Sequence, residues 1–339
     1  MTLRWKYSRP LLAILVALLF SAPFLGSNPL SHPGLQQTMA VAFLYGALAL
    51  TYDLLFGYTG LLSFGHALFF ASGMYFAVLF INHDVLVWWL AAIAAVALST
   101  ILAILIGSAS LRTGGITFAM VTLAFAEAGH VVISRNFGGL TNGENGIALN
   151  ADKVPQIFIG VFNTKYLFWI ALATLVFVYL VIWWLTESSA GRVFAALRDN
   201  ETRVSVLGLK PSRFKLLSFV IAASLASFIG VVMLMVSGSA APRFASSDVT
   251  ISLLLMVILG GAITRWGAVI GGIIYSVATT RLQDFSQSTA LHSIPQIIRG
   301  PISEPTFTLG LIFIFVVMFA PGGLSGAYYA LRLKVISRK

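Results

Sequence analysis

Residues 57–73 read GYTGLLSFGHALFFASG. The stretch is apolar enough for lipid, yet it carries four glycines, two serines and His66 where a plain membrane anchor would carry leucine. Small residues let helix backbones approach closely, which is how helices associate in a bilayer, where apolar side chains gain nothing by leaving the hydrocarbon. The composition therefore predicts a span that packs against other spans. Gly57 and Gly60 suggest a tight turn ahead of it, and Ser63, Gly65 and His66 the opening of its helix.

The surrounding chain has the same character. Of its 339 residues, 58% are hydrophobic and 9% charged, against about 25% charged in an ordinary soluble domain. Mean hydropathy is +0.93. A soluble fold of this length could not bury so much apolar surface, so the expected class is an all-α, polytopic membrane bundle. A helix needs roughly 20 apolar residues to cross about 30 Å of hydrocarbon. Long apolar runs predict ten spans, near 10–26, 36–56, 60–81, 86–107, 115–134, 166–186, 214–236, 249–263, 267–283 and 307–321. The eighth and ninth are short and interrupted by glycine. The first follows Arg4, Lys6 and Arg9 and precedes Ser21-Ala22-Pro23, which resembles a signal peptide. Its cleavage pattern is poor, and an uncleaved first helix is preferred.

Lysine and arginine orient the spans, because cytoplasmic loops hold the excess. With the N-terminus inside, 15 of the 21 basic residues fall in cytoplasmic segments: Arg4, Lys6, Arg9, Arg112, Arg192, Arg198, Arg203, Lys210, Arg213, Lys215, Arg265, Arg332, Lys334, Arg338 and Lys339. The remaining 6 fall outside: Arg135, Lys153, Lys165, Arg243, Arg281 and Arg299. Ten spans with both termini inside satisfy this bias. They leave a polar outer loop at 135–165 and a cytoplasmic loop at 187–215, with no second soluble domain.

Absences narrow the function. The chain has no cysteine, hence no disulfide, thiolate metal site or cysteine nucleophile. The net charge of +10 comes without a basic stripe interleaved with exposed aromatics, so it fits topology and lipid contact better than nucleic acid. No G-x-x-x-x-G-K-[ST], HExxH or G-x-S-x-G occurs, nor an arginine-rich voltage helix or TVGYG filter. These features fit a translocation pore, not an enzyme, that depends on another subunit for energy.

Ionisable groups at membrane depth cost about 2.5–3.5 kcal/mol even on lenient insertion scales, so each is a functional candidate. Asp53 falls near the inner end of the second span, where an interfacial structural role is expected. His66 opens the third, as a hydrogen-bonding or gate-lining residue. Glu127 and His130 lie in the outer half of the fifth, within VTLAFAEAGHV. Glu127 must face the bundle or a water-filled path, or be protonated. A helix–helix hydrogen bond and a place on the path both remain open for it. Ser63, Gly65, His66, Thr122 and Glu127 are the candidate path residues, and spans three, five and eight its walls. Glycine-broken spans in both halves are compatible with a midplane path between structural repeats.

The inner loop, ESSAGRVFAALRDNETRVSVLGLKPSRFK at 187–215, predicts two short helices. The first covers Ser189–Arg198, with Val193, Phe194 and Leu197 on one face. The second covers Thr202–Leu207. Asp199 and Asn200 precede it as N-caps, Glu201 suits its first turn, Gly208 suits the position after its end, and Pro211 forbids continuation. A rigid pair gripped by a cytoplasmic partner fits the mixed charges; a basic helix lying on lipid would be more uniformly positive.

In order along the chain, GYTGLLSFGHALFFASGMYFA (57–77), LRTGGITFAMVTLAFAE (111–127), GGLTNGENGI (138–147), GRVFAALRDNETRVSVLGLKPSRFKLLSFV (191–220), SLLLMVILGGAITRWGAVIGGIIY (252–275) and GLIFIFVVMFAPGGL (310–324) resemble the permease subunits of branched-chain amino acid ABC importers, of the M-type, LivM-like kind. The match covers most of the chain after about residue 38. It implies the ABC importer permease fold in a bacterial inner membrane. It also implies a half-pore paired with a second, H-type permease, two cytoplasmic ATPase subunits that bind the ATP and Mg, and a periplasmic solute-binding protein. On this resemblance residues 1–339 form one permease domain and 187–215 the coupling loop. Gly191, Arg198, Asp199, Asn200, Glu201 and Gly208 would be the contact and shape residues there, and Thr141, Asn142 and Glu144 would meet the binding protein. Family members often carry a GLTGGSDG-like run; here it is GLTNGENG, with the acidic Glu144 one position earlier. Permeases for urea, short amides and aromatic acids share the family. From other classes, a proton-coupled transporter using Glu127 and a membrane scaffold remain as rivals.

Overall fold

A computed structural model describes residues 32–158, 163–286, 305–319 and 322–327. The expected first span at 10–26 lies outside them. The described chain is mostly helical: α1 (Pro33–Asp53), α2 (His66–Asn82), α3 (Trp88–Ser110), α4 (Gly115–Ser134), α5 (Thr164–Glu187), α6 (Ser189–Asp199), α7 (Glu201–Val206), α8 (Pro211–Ser237), α9 (Ser247–Gly260), α10 (Arg265–Ser286) and α11 (Pro305–Phe319). The class is the expected helical one, with one short β pairing between the outer loop and the segment after α8. Strand β1 (Ile147–Ala148) runs antiparallel to β2 (Ser239–Ala240), with Ile147 opposite Ala240. The expected ten spans include stretches outside the described residues. Among the described residues five helices are long and apolar enough to cross, namely Pro33–Thr59, α3, α4, α5 and α8, while α2 and α9 are shorter apolar helices.

The third predicted span starts late. α1 passes at Leu54–Thr59 into a π-helical turn that ends at Gly60 in the left-handed conformation, φ +75°. The chain then runs without helix until His66. The sequence suggested helix from residue 60; the observed helix begins six residues later because partners from distant helices satisfy the opened backbone.

Proline starts two of the long helices, Pro33 in α1 and Pro211 in α8, where its missing N–H would have had no intrahelical acceptor. Gly238, at φ +70°, closes α8. α1 packs against α5 and α10, and α8 against α2 and α3. T-shaped ring pairs join the layers: Phe43–Phe168 across α1 and α5, at 5.3 Å between centroids, and Phe69–Phe219 across α2 and α8, at 5.4 Å. Hydroxyls add polar contacts, with Ser72 Oγ 2.6 Å from Ser99 Oγ and Thr100 Oγ1 2.8 Å from Ser224 Oγ. Glycine sets a close crossing between α2 and α8. A Cβ on Gly73 would collide with the Ser227 carbonyl oxygen, and one on Gly230 with the Phe70 carbonyl oxygen. α4 lies at the edge: 28% of its most apolar window is buried, against 78% for α1 with its π turn and for α8.

Candidate functional site

The non-helical link before α2 gathers hydroxyls from three helices. The first N–H groups of a helix have no intrahelical acceptor. Here Thr250 of α9 accepts from Ala67 N–H at 3.0 Å. Thr122 of α4 accepts from Phe64 N–H at 3.1 Å while donating to the Ala119 carbonyl at 2.9 Å. Ser63 Oγ accepts from Gly65 N–H at 3.3 Å. A Cβ on Gly65 would lie 3.0 Å from the Thr122 carbonyl oxygen, so glycine lets the link lie against α4. His66 Nε2 lies 2.9 Å from Thr51 Oγ1 of α1, whose hydroxyl donates to the Leu48 carbonyl at 2.7 Å. With that hydroxyl proton already used, His66 must donate from Nε2. Its Nδ1 is buried with no hydrogen-bond partner among the described residues. Tyr52 packs against the ring edge-on at 5.5 Å.

Four of the five expected path residues, Ser63, Gly65, His66 and Thr122, thus form one buried cluster. Thr51 and Thr250 complete it. A threonine within an apolar run gives no sign of which distant backbone it serves, so sequence reading missed both. We expect Thr250→Val to destabilise the protein by about 1–3 kcal/mol, the usual cost of a buried donor left without its acceptor. The check is the thermal aggregation midpoint in detergent, with Thr250→Ser, which keeps the hydroxyl, staying near the parent.

Glu127 stands apart from that cluster. It is half-buried on α4 and makes no hydrogen bond or ion pair among the described residues. Ile116, Met120 and Val131, at helical spacing around it, are exposed. Its neighbour His130 has Nδ1 3.2 Å from the Pro242 carbonyl.

Asp53 departs from expectation more strongly. An interfacial place was expected, but the residue is fully enclosed. Its Oδ1 accepts from Ile263 N–H at 3.0 Å, a bond that links the end of α1 to the turn between α9 and α10. Gly57, expected in a turn, sits within the π turn against this carboxylate.

The helix pair at 187–215 forms with boundaries within two residues of those expected. Ser188 Oγ caps α6 by accepting from Gly191 N–H at 3.3 Å, and Asn200 Oδ1 caps α7 by accepting from Arg203 N–H at 2.9 Å. Gly208 is left-handed at φ +83°. A Cβ on Gly191 would collide with the Thr186 carbonyl oxygen, so glycine allows α6 to fold back on the end of α5. Phe194, Leu197 and Val204 are buried beneath the pair. Two of the expected contact residues are exposed and also bond within the chain. Arg198 Nη1 donates to the Gly57 carbonyl at 3.0 Å, and Glu201 pairs with Lys215 at 2.5 Å. Asp199 pairs with the outer edge of Arg198 at 3.2 Å and stays exposed. Among the exposed polar residues of the pair two large apolar ones also face outward: Val206 is 82% and Leu207 73% exposed.

The outer loop turns on Asn136, itself left-handed at φ 52°. Its Oδ1 accepts from Thr141 N–H and Asn142 N–H, both at 3.0 Å. Thr141 is buried and donates to the Ile133 carbonyl at 2.7 Å, so it shapes the loop from within. Asn142 donates to the Gly146 carbonyl at 2.9 Å, and Glu144 is exposed. Phe137, 78% exposed, and Leu140 are the large apolar groups on this surface. Farther along, Lys153 ties the loop to Asp84 at 2.6 Å and to the Asn82 carbonyl at 2.7 Å. Among the described residues no three histidine, aspartate or glutamate side chains lie close enough together to hold a metal.

The family described as "Branched-chain amino acid transport system / permease component" matches residues 34–320. The high-affinity branched-chain amino acid transport system permease protein LivM of Escherichia coli K12 is 27% identical over 335 residues, spanning 91% of this chain and 74% of that protein. Its Salmonella typhimurium counterpart is 26% identical over 339 residues, with the same coverage. A probable branched-chain amino acid transport permease protein LivM of Methanocaldococcus jannaschii is 24% identical over 323 residues, spanning 83% of this chain and 90% of that one. No solved structure matches. The apolar helices and the family together make the chain a multi-pass membrane protein and a transport component, not a catalytic subunit. The chain belongs to the family of permease components of branched-chain amino acid transport systems.

Proposed function

We propose that this chain is one half of an inner-membrane pore through which branched-chain amino acids enter the bacterial cell. A second, H-type permease supplies the other half, and two cytoplasmic ATPase subunits hydrolyse the ATP that drives the cycle. A periplasmic binding protein delivers the solute to the loop at 135–165, where Glu144, Asn142, Phe137 and Leu140 face outward. The segment 187–215 is the coupling element. Residues 1–339 act as one permease domain.

The helix pair α6–α7 carries this reading. It is capped at both starts, seated on Phe194, and tied to the bundle through Arg198 and Lys215. It leaves Val206 and Leu207 uncovered in an otherwise polar segment, the arrangement of an element that transmits force and inserts an apolar tip into a partner. ATP binding would close the ATPases, move the pair, and shift the bundle between outward and inward access. The drive comes from the partners' differential affinity for the two states. A Val206→Ser, Leu207→Ser double variant is expected to accumulate normally and lose at least tenfold in co-purification with the ATPase subunits. Unchanged co-purification would remove the pair from the interface.

Glu127 supports a second reading, a proton-coupled transporter working alone, because its carboxyl is unpaired among the described residues on an uncovered face. Uptake by the purified chain in vesicles that survives without ATP and collapses with the proton gradient would favour that reading. Urea, short amides and aromatic acids are the alternative solutes. Solute-stimulated ATP hydrolysis by the assembled complex distinguishes them.

A further inference from the structure

Ile263 is left-handed, at φ +69°. A β-branched side chain makes this conformation costly, so it persists only where the surroundings impose it. Two side chains from the π turn and its start do so. Asp53 Oδ1 accepts from the Ile263 N–H at 3.0 Å, and Tyr58 Oη donates to the Ile263 carbonyl at 2.9 Å. Both polar groups of one strained residue are therefore held by a single element more than 200 positions away in sequence. Gly57 makes the grip possible: a Cβ there would collide with Asp53 Oδ1 and lie 2.9 Å from Ile263 N.

The same π turn is held from the cytoplasmic side. Arg198 of α6 donates to the Gly57 carbonyl at 3.0 Å, and its Cγ lies 2.8 Å from where a Cβ on Gly60 would stand. A second arm closes the circuit. Arg265, two residues beyond Ile263, donates to Thr186 Oγ1 at 3.0 Å and Glu187 Oε1 at 3.1 Å, at the end of α5 from which α6 springs. Moving the α6–α7 pair therefore pulls on the turn at 261–264 by two routes. π turns carry one residue more than the regular ladder accommodates and often mark functional positions in helices.

We infer that the turn at 261–264 is a strained joint, and that Asp53 and Tyr58 are positioning residues that hold Ile263 left-handed while Arg198 makes that hold depend on the seat of the helix pair. When the pair moves, the grip loosens, Ile263 relaxes, and α9 and α10 reorient relative to α1. This inference rests on the coupling role proposed above for α6–α7.

The test uses the assembled complex, with its ATPase and permease partners and binding protein, in proteoliposomes. Uptake of labelled L-leucine and ATP hydrolysis are measured separately. Tyr58→Phe is expected to lower leucine transported per ATP at least fivefold while the subunits still co-purify. Glycine adopts positive φ without strain, so Tyr58→Phe combined with Ile263→Gly is expected to return the ratio to within twofold of the parent. Arg198→Met is expected to lose coupling to a similar extent and to gain nothing from Ile263→Gly, because it cuts the link to the pair itself. An unchanged ratio in Tyr58→Phe, or a loss that Ile263→Gly does not repair, overturns the joint. If Tyr58→Phe fails to accumulate, recovery in the double variant supports the joint and continued failure overturns it. If the parent complex shows no leucine-stimulated hydrolysis, the coupling role fails and the joint with it. A parent that couples normally beside an unaffected Tyr58→Phe removes the joint alone.

Discussion

Gly73→Val is expected to abolish accumulation of folded protein in the membrane, while Gly34→Ala leaves it unchanged. At the crossing of α2 and α8 the two backbones interlock. Gly73 lies on the Ser227 carbonyl and Gly230 on the Phe70 carbonyl, three residues apart on each helix. A Cβ at 73 would also come within 2.7 Å of Ser227 Oγ. The main obstacle is backbone, which cannot rotate away as a side chain can. Overfilling a packed interior usually costs about 1–3 kcal/mol, and more where nothing yields. Valine adds two further methyl groups with a stiff χ1. Separating the helices to admit them also parts Phe69 from Phe219 and disturbs the start of α2, where Thr250 and Thr122 meet the backbone. Total stabilities are typically only about 5–15 kcal/mol. Gly34 opens α1, and among the described residues nothing lies within 4 Å of the position a Cβ would take, so alanine is expected to fit there. Abundance in the membrane fraction and the monodisperse peak in size-exclusion chromatography check both variants. A well-behaved Gly73→Val protein would refute the close crossing.

Local features were legible in the sequence and distant partnerships were not. Asn200, Gly208 and Pro211 mark helix ends by chemistry confined to a few residues, so the boundaries of α6 and α7 could be read closely. The small residues of 57–73 signalled close packing, and Gly73 supplies it. The hidden features depend on partners far along the chain. Helix was expected from residue 60 because nothing local forbids it, whereas the link to residue 65 stays open because Thr122 and Ser63 satisfy its N–H groups. Asp53 looked interfacial because hydropathy places a carboxylate at the nearest water; its acceptor role toward Ile263, 210 residues away, has no sequence signature. Arg198 and Glu201 read as charges on a solvated pair and are exposed, but their bonds to the Gly57 carbonyl, far along the chain, and to Lys215 had no local sign. The Val206–Leu207 tip is the large apolar feature among the pair's exposed polar residues.

The two polar regions therefore differ in kind. The hydroxyl cluster around His66 is enclosed and largely satisfied, so it maintains the entry to α2 and holds α1, α4 and α9 in register. Glu127 is the opposite case, an ionisable group whose needs the described residues leave unmet. A group of the first kind loses stability when changed; one of the second kind loses function. Thr250→Val and Glu127 variants should separate accordingly, the former in thermal midpoint and the latter in uptake.

Glu127→Leu is expected to reduce leucine uptake by the assembled complex about 10- to 100-fold with no loss of protein in the membrane. The carboxyl lies among Ile116, Met120 and Val131 on the uncovered face of α4. Were that face turned to lipid, the carboxyl would cost about 2.5–3.5 kcal/mol, and leucine would relieve the cost without touching transport. If the face meets the second permease or a water-filled path, the carboxylate accepts hydrogen bonds there. Bonds to a charged group contribute about 1.5–3 kcal/mol, and about 1.4 kcal/mol corresponds to a tenfold change. Unchanged uptake with raised abundance would therefore assign the face to lipid. Glu127→Gln then distinguishes the two ways of using the carboxyl. A proton carrier loses all gradient-driven uptake when the titrating group is removed. A path residue in an ATP-driven pore keeps its dependence on ATP, and glutamine, which preserves shape and an acceptor oxygen, retains more uptake than leucine. Retained ATP-dependent uptake in Glu127→Gln, lower in Glu127→Leu, is the expected order, and its reversal would move Glu127 off the path.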